Sequence, residues 1–140
     1  MKKLLIIACL ALSFNMMAGN QEKLIGTWKV DMKKFKDSKQ YKDSMNDPKL
    51  KPMIQFLESI YVNMEMIVEK NKITMKMAYK QLKHSKYTIV EDKGKTMKIN
   101  AVSDDGVKRV SEVTFVDDKN IIIKSKNEGD QSEVYFTKLK

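Results

Sequence analysis

The sequence contains few of the residues on which several protein classes depend. Among 140 residues there are one cysteine, one histidine, two prolines and five glycines. These counts exclude disulfide-stapled, collagen-like and low-complexity chains. They also leave little for Cys–His catalysis, since a nucleophile needs a base within hydrogen-bonding reach. The remaining composition, 42% hydrophobic and 32% charged, is that of one folded domain and is too apolar for a disordered chain.

The first nineteen residues have the layout of a secretory signal peptide. Lys2 and Lys3 precede an apolar run of eleven residues, Leu4–Phe14, and small residues follow at Ala18 and Gly19. This order of positive, apolar and small residues predicts cleavage near residue 19. The apolar run is too short to cross a membrane as a helix, which takes about 20 residues. We therefore expect a mature domain over residues 20–140 without a transmembrane segment.

Cys9 lies inside this apolar run. It follows Ile6-Ile7-Ala8, which is similar to a lipoprotein box, but the apolar stretch before it is very short for that role. We interpret Cys9 as an ordinary residue of a cleaved signal peptide. The signal peptide predicts a mature protein that is secreted or periplasmic.

The charge is strongly basic and almost entirely lysine. The formal net charge is +9, and Arg109 is the single arginine. The lysines are spread along the chain, which is typical of a solvated surface, although anionic lipid is an alternative partner. The absence of Arg–aromatic clusters argues against nucleic acid.

Turn-forming residues recur at regular spacing and divide most of the chain into short alternating segments. Ile73, Met75 and Met77, for example, alternate with Thr74 and Lys76. Such alternation predicts strands with one face on a core and one in water. We predict eight strands at about 25–31, 62–69, 73–80, 84–90, 96–102, 108–116, 121–126 and 132–138. An antiparallel meander of this length removes its exposed edges most simply by closing into a barrel.

One segment follows helical spacing instead. Asp47-Pro48 is typical of a helix N-cap followed by proline at the first helical position. Apolar residues from Leu50 to Tyr61 then form one stripe. The sequence thus predicts a mainly β fold with one amphipathic helix between strands 1 and 2. The polar segment before this helix, Met32–Met45, is interpreted as a connection or as a protein-contact surface.

Gly26-Thr27-Trp28 in the first strand resembles the Gly-x-Trp opening of the calycins, the group that contains lipocalins and fatty-acid-binding proteins. The resemblance implies that Trp28 closes one end of the barrel, with Gly26 leaving space for the indole. It also implies a basic residue of the last strand against the tryptophan, here Lys138. The chain is most similar to small secreted bacterial lipocalin-like proteins, with a weaker resemblance to fatty-acid-binding proteins.

Alternation and the resemblance together predict an interior that holds an apolar or amphipathic, fatty-acid-like molecule. The same alternation places Arg109 and Ser111 on the inner face with Val113. A lone arginine among so many lysines suggests a need for its planar guanidinium group, which matches a carboxylate. We therefore hypothesise that Arg109 and Ser111 hold the acid head of the ligand and that apolar side chains hold its tail. The predicted inward residues are Met64, Met66, Val68, Ile73, Met75, Met77, Tyr87, Ile89, Met97, Ile99, Val113 and Phe115, of which the five methionines, Tyr87 and Phe115 are predicted ligand contacts.

Two other functions remain open. A filled barrel would leave an interaction or structural role, and the paired motifs Met64-x-Met66 and Met75-x-Met77 are thioether ligands of the kind that Cu(I) favours. Methionine is also a common filler of apolar cores, and His84 has the outward, solvent-facing parity. We predict a monomeric binding protein that is not an enzyme and has no cofactor and no resident metal.

Overall fold

The computed structural model describes residues 21–77, 82–127 and 130–139. The predicted signal peptide and the end of the predicted strand 73–80 lie outside these ranges. Eight strands form one closed antiparallel barrel in the order of the sequence, as the alternation predicts. The strands are β1 Gly26–Val30, β2 Glu65–Val68, β3 Lys72–Lys76, β4 Leu82–Asp92, β5 Thr96–Ser103, β6 Lys108–Asp117, β7 Asn120–Asn127 and β8 Asp130–Lys138.

Three short helices, instead of the single predicted helix, connect β1 to β2. They are α1 Met32–Asp37, α2 Lys39–Asn46 and α3 Lys51–Val62. Asp31 caps α1 by accepting a hydrogen bond from the Lys34 amide, and Ser38 caps α2 through the Tyr41 amide. The polar segment is therefore helical, because each stretch of lysines and polar residues begins with a side chain that satisfies free amides.

The predicted helix also begins later than expected. The Asp47 side chain accepts a hydrogen bond from the Lys49 amide and forms a turn, and α3 starts only at Lys51 with Pro52 in its first turn. The Asp47-Pro48 pair thus initiates the turn that leads into the helix.

The register between strands fixes which residues face the core. Trp28 pairs with Met66 and Met66 pairs with Met75, while Met97 pairs with Val113 and Val113 with Ile123. Partners in an antiparallel pair lie on the same side of the sheet. The register is irregular only between Ile89 and Glu91 and between Phe115 and Asp117, within the paired residues described.

These inward rows form the hydrophobic core. Trp28 and Val113 are fully buried, and Leu24 and Ile121 are 1% exposed. Every predicted inward residue is either buried in this core or packed against it. The helices contribute little, since Ile54 of α3 is the one buried residue in the three of them. The barrel is therefore the main source of apolar burial.

His84 differs from its predicted solvent-exposed position. It is half-buried, and its Nδ1 atom lies 3.1 Å from Oγ1 of Thr74, which is its partner in the β3–β4 register. Thr74 is itself 7% exposed, so this part of the outer face is covered by its own cross-strand neighbours.

No helix in the described part of the chain has both the length and the apolar character that are needed to cross a bilayer.

Candidate functional site

The upper part of β8 lacks a strand on one side. β1 pairs with β8 only at residues 28–30 and 136–138, whereas β7 pairs with β8 along almost its whole length. Helix α1 packs beside β8, and the Asp31 amide donates a hydrogen bond of 2.8 Å to the Tyr135 carbonyl. The helices thus occupy the place beside β8 that a longer β1 would fill.

A cavity of about 460 Å³ lies between the helices and this edge of β8. We call it the helix slot. Met53, one of its lining residues, is 63% exposed, so the slot opens to solvent at α3. The slot is lined by Phe35, Ser38, Gln40, Tyr41, Met53, Ile54, Leu57, Tyr61, Ser132, Glu133, Val134 and Tyr135.

The helix slot is rich in aromatic and aliphatic side chains. The ring of Phe35 packs edge-on against Tyr41 and Tyr61, with centroid distances of 5.2 and 5.1 Å. Burial raises the pKa of Tyr61, so its phenol stays neutral. Glu133 is the one charged residue among the described lining residues.

A second cavity, of about 550 Å³, adjoins the helix slot and is more polar. We call it the serine cavity. Ser111, Ser125 and Ser132 occupy one cross-strand row, and the Ser111 and Ser125 hydroxyl oxygens are 2.9 Å apart. The cavity is lined by Gln40, Lys98, Val110, Ser111, Glu112, Lys124, Ser125, Lys126, Ser132 and Glu133. Three residues, Gln40, Ser132 and Glu133, line both cavities, so a molecule with an apolar and a polar part has a place for each.

Glu58 ties the three helices together beside the slot. Its carboxylate accepts a 2.8 Å hydrogen bond from the Tyr41 hydroxyl and lies 2.9 Å from the Lys36 ammonium. The bond to Lys36 and then the bond to Tyr41 hold the pKa of Glu58 below its ordinary value of 4.5. The same contacts raise the pKa values of Lys36 and Tyr41. One carboxylate therefore joins α1, α2 and α3.

We expect Glu58→Gln to lower the melting temperature by a few degrees at pH 7. A carboxyl whose pKa is lowered on folding stabilises the protein above its unfolded pKa, and this stabilisation is lost as the pH falls through the folded value. The difference between wild type and variant should therefore shrink below about pH 4. Thermal melts from pH 7 to pH 3 measure it. A difference that stays constant over this range would show that Glu58 does not act through its charge.

The predicted barrel-closing residues come together at the end of the barrel opposite the helices. The Trp28 indole N–H donates a 2.8 Å hydrogen bond to the Leu24 carbonyl. Lys138 pairs with Trp28 across the β1–β8 register, and its ammonium lies 5.4 Å from the centroid of the indole. Gly26 precedes Trp28 on the same face of β1. This end of the barrel is therefore filled by its own side chains.

The five methionines that are predicted to contact the ligand lie in the packed part of the barrel. Met64, Met66 and Met97 are buried, and Met75 and Met77 pack against them from less buried positions. None of the five is among the residues that line the helix slot or the serine cavity. Their surroundings are those of core side chains.

We expect Met66→Leu combined with Met75→Leu to change the free energy of unfolding by less than about 3 kcal/mol, since isosteric swaps in a core cost under about 1.5 kcal/mol each. Urea unfolding measures the change. Cu(I) titration of the wild type against a competing chelator tests the alternative assignment. Stoichiometric uptake that the double variant loses would show that the thioethers are ligands and not only packing groups.

The other predicted ligand contacts do not line one common cavity. Arg109 shares the inner face of β6 with Ser111, because the register of β6 is regular through Val113, but its side chain is exposed and lines neither cavity. Ser111 lines the serine cavity. Tyr87 is buried and donates a 2.6 Å hydrogen bond to the Glu69 carbonyl, while Phe115 packs against the core. Of this predicted set, Ser111 is the one residue that lines either of the two cavities described above.

The aromatic residues of the helix slot were not predicted from the sequence. Phe35 and Tyr41 belong to the polar segment that is predicted as a connection or a protein-contact surface, and Tyr61 belongs to the predicted apolar stripe of one helix. The available indication was the pair of N-caps, Asp31 and Ser38, which mark two helix starts seven residues apart.

Comparison with known proteins gives no relative: no protein-family model, no curated protein and no solved structure matches this chain.

Proposed function

We propose that this chain is an exported, lipocalin-like binding protein that holds an amphipathic small molecule between its helices and the barrel. The observation that carries the proposal is the helix slot, an aromatic-lined space next to a more polar cavity. Both volumes, about 460 and 550 Å³, fall within the usual range for small-molecule sites, about 300–1,000 Å³. The apolar part of the ligand occupies the slot, and its polar part faces Gln40, Ser132 and Glu133.

The packing of the barrel supports a site at the helices over one at the barrel centre. Trp28 and Val113 are fully buried, and Met97 and Ile121 are each 1% exposed. An eight-stranded barrel is narrow enough for its own side chains to fill it. We assign the methionines to this filling and the ligand contacts to the helices and the upper edge of β8.

Two features support the exported, lipocalin-like part of the proposal. Residues 1–19 have the composition of a signal peptide. Gly26, Trp28 and Lys138 have the relation that the calycin resemblance implies, with a lysine over the tryptophan at one end of the barrel.

Native mass spectrometry of the protein purified from the envelope of its native host tests the proposal. A co-purified molecule of a few hundred daltons that is absent from refolded protein is the expected result. Refolded protein should then bind an uncharged fluorescent apolar probe with one-to-one stoichiometry. Empty native protein together with no probe binding would refute the proposal.

A protein-interaction role is the second candidate, and the exposed side of α3 favours it. Phe56 is 67% exposed and Met53 63%, which is unusual for large apolar side chains. Capture of an envelope protein by wild type but not by Phe56→Ser would support this role. Such capture without a bound small molecule would favour it over the binding function.

A further inference from the structure

We infer that the molecule held in the helix slot carries a cationic group, an amine or a quaternary ammonium, at the end that lies beside Glu133. This inference rests on the proposed function, because it specifies the ligand class of the same site. The slot would thus select a cationic ligand, whereas the sequence alone suggests a ligand with an acid head.

The charge of the slot lining is the first argument. The chain has 27 lysines and arginines, and the twelve described lining residues include none of them. The single charged side chain of the lining is the carboxylate of Glu133. A ligand carboxylate next to it would meet a like charge, and the lysine that pairs with Glu133 across the strands, Lys124, lines the serine cavity and not the slot. An ammonium group in the same place has an opposite charge beside it.

The aromatic rings are the second argument. Phe35, Tyr41, Tyr61 and Tyr135 all line the slot, and ring faces attract cations at centroid distances up to about 6 Å. One of these rings already attracts a cation, since the Lys34 ammonium lies 5.8 Å from the centroid of Tyr135. Groups of aromatic rings are a known way to recognise quaternary ammonium ligands.

The position of Glu133 is the third argument. The Tyr135 hydroxyl donates a 2.8 Å hydrogen bond to Oε1 of Glu133, and this bond raises the pKa of Tyr135. The bond uses one carboxylate oxygen and fixes its orientation, while Oε2 makes no hydrogen bond or ion pair with a described residue. Oε2 of Glu133 can therefore accept a hydrogen bond from an ammonium group at the wall that the slot shares with the serine cavity.

Arg109 does not give the helix slot a preference for an acid ligand. It shares the inner face of β6 with Ser111, but its side chain is exposed and contributes to the lining of neither cavity. An acid head bound by Arg109 would leave the tail of the ligand outside the helix slot.

Three ligands with the same ten-carbon chain test the inference: decyltrimethylammonium, decanol and decanoate, each kept below its micellar concentration. They compete with an uncharged solvatochromic probe bound to the full mature protein at pH 7. We expect decyltrimethylammonium to bind about tenfold more tightly than decanoate, with decanol between them, as one cation–π contact and one exposed ion pair would give.

Glu133→Gln should remove most of this preference and weaken decanol binding far less than decyltrimethylammonium binding, because glutamine keeps an oxygen for the Tyr135 hydroxyl. Glu22→Gln is the matched control, since Glu22 is an exposed glutamate that lines neither cavity, and it should keep the preference. Equal binding of the three ligands, or a Glu133→Gln variant with an unchanged preference, would overturn the inference and leave the proposed function standing. Tightest binding of decanoate, lost in Arg109→Met, would overturn it in favour of an acid ligand. Failure of all three ligands and of the probe would instead count against the proposed function itself.

Discussion

Trp28→Ala should lower the free energy of unfolding by about 3–5 kcal/mol, the cost of deleting a large aromatic side chain from a core. Trp28 is fully buried, its indole N–H is bonded to the Leu24 carbonyl, and Lys138 covers its ring. Alanine leaves a cavity in the core at this end of the barrel, where β1 is paired with β2 and with β8 and inward collapse is limited. For a domain of this size the melting temperature should fall by about 10–20 °C.

Thermal and urea unfolding of Trp28→Ala beside Phe56→Ala provide the measurement and its control. Phe56 is also a large aromatic residue, but it is 67% exposed on α3, and its truncation should stay within about 0.5 kcal/mol. If the Trp28 variant melted within a degree or two of wild type, the indole would be peripheral to the fold, and the resemblance to calycins would lose its main support.

Leu57→Trp should weaken ligand binding by about a hundredfold. Leu57 is half-buried and lines the helix slot, so the indole takes the space of three or four ligand methylenes. Each buried methylene contributes about 0.8 kcal/mol, and about 2.7 kcal/mol corresponds to a hundredfold change in Kd. Probe titration of the purified variant measures the loss.

The neighbouring substitution Phe56→Trp is the control for this experiment. Phe56 precedes Leu57 on the same helix but is not among the residues that line the slot, so its replacement should leave Kd within twofold. Melting curves of both variants establish that they are folded, since overpacking costs about 1–3 kcal/mol. Unchanged binding in a folded Leu57→Trp protein would place the ligand elsewhere.

The barrel was predictable because its local patterns and its overall fold agree. Ile73 and Met75 alternate with polar residues, and Met97 and Ile99 do the same, so each strand shows which face it buries. Closure then follows because an open meander of eight strands would leave its first and last strands as exposed edges.

Helices α1 and α2 were not predictable in the same way. They have six and eight residues, and each holds too few apolar residues to form a stripe as long as that of α3. Their N-caps stabilise them instead, together with β8 beside α1 and helix α3 beside α2. A helix that depends on tertiary neighbours leaves little trace in hydrophobic periodicity.

The helix slot was not predictable because two distant features create it. One is the end of β1 at Val30, which leaves residues 130–135 of β8 with a strand on one side only. The other is the turn of the chain into α1 at Asp31. Sequence patterns indicate which strands exist, but the point at which two of them stop pairing depends on the register. Arg109 is an example: alternation predicts the face of β6 on which it lies, but it does not predict where the cavity lies.

The pairing of β1 with β8 also affects how the barrel forms. It joins the first strand to the last, so it is the most non-local strand pairing in the fold, while every other pairing connects consecutive strands. The loop-closure entropy of the intervening chain must be lost before this pairing contributes any stability. Until then β1 and β8 are two open edges with apolar faces, which are able to pair with other chains. Conditions that delay the pairing of β1 with β8 should therefore promote aggregation before they reduce the stability of the folded barrel.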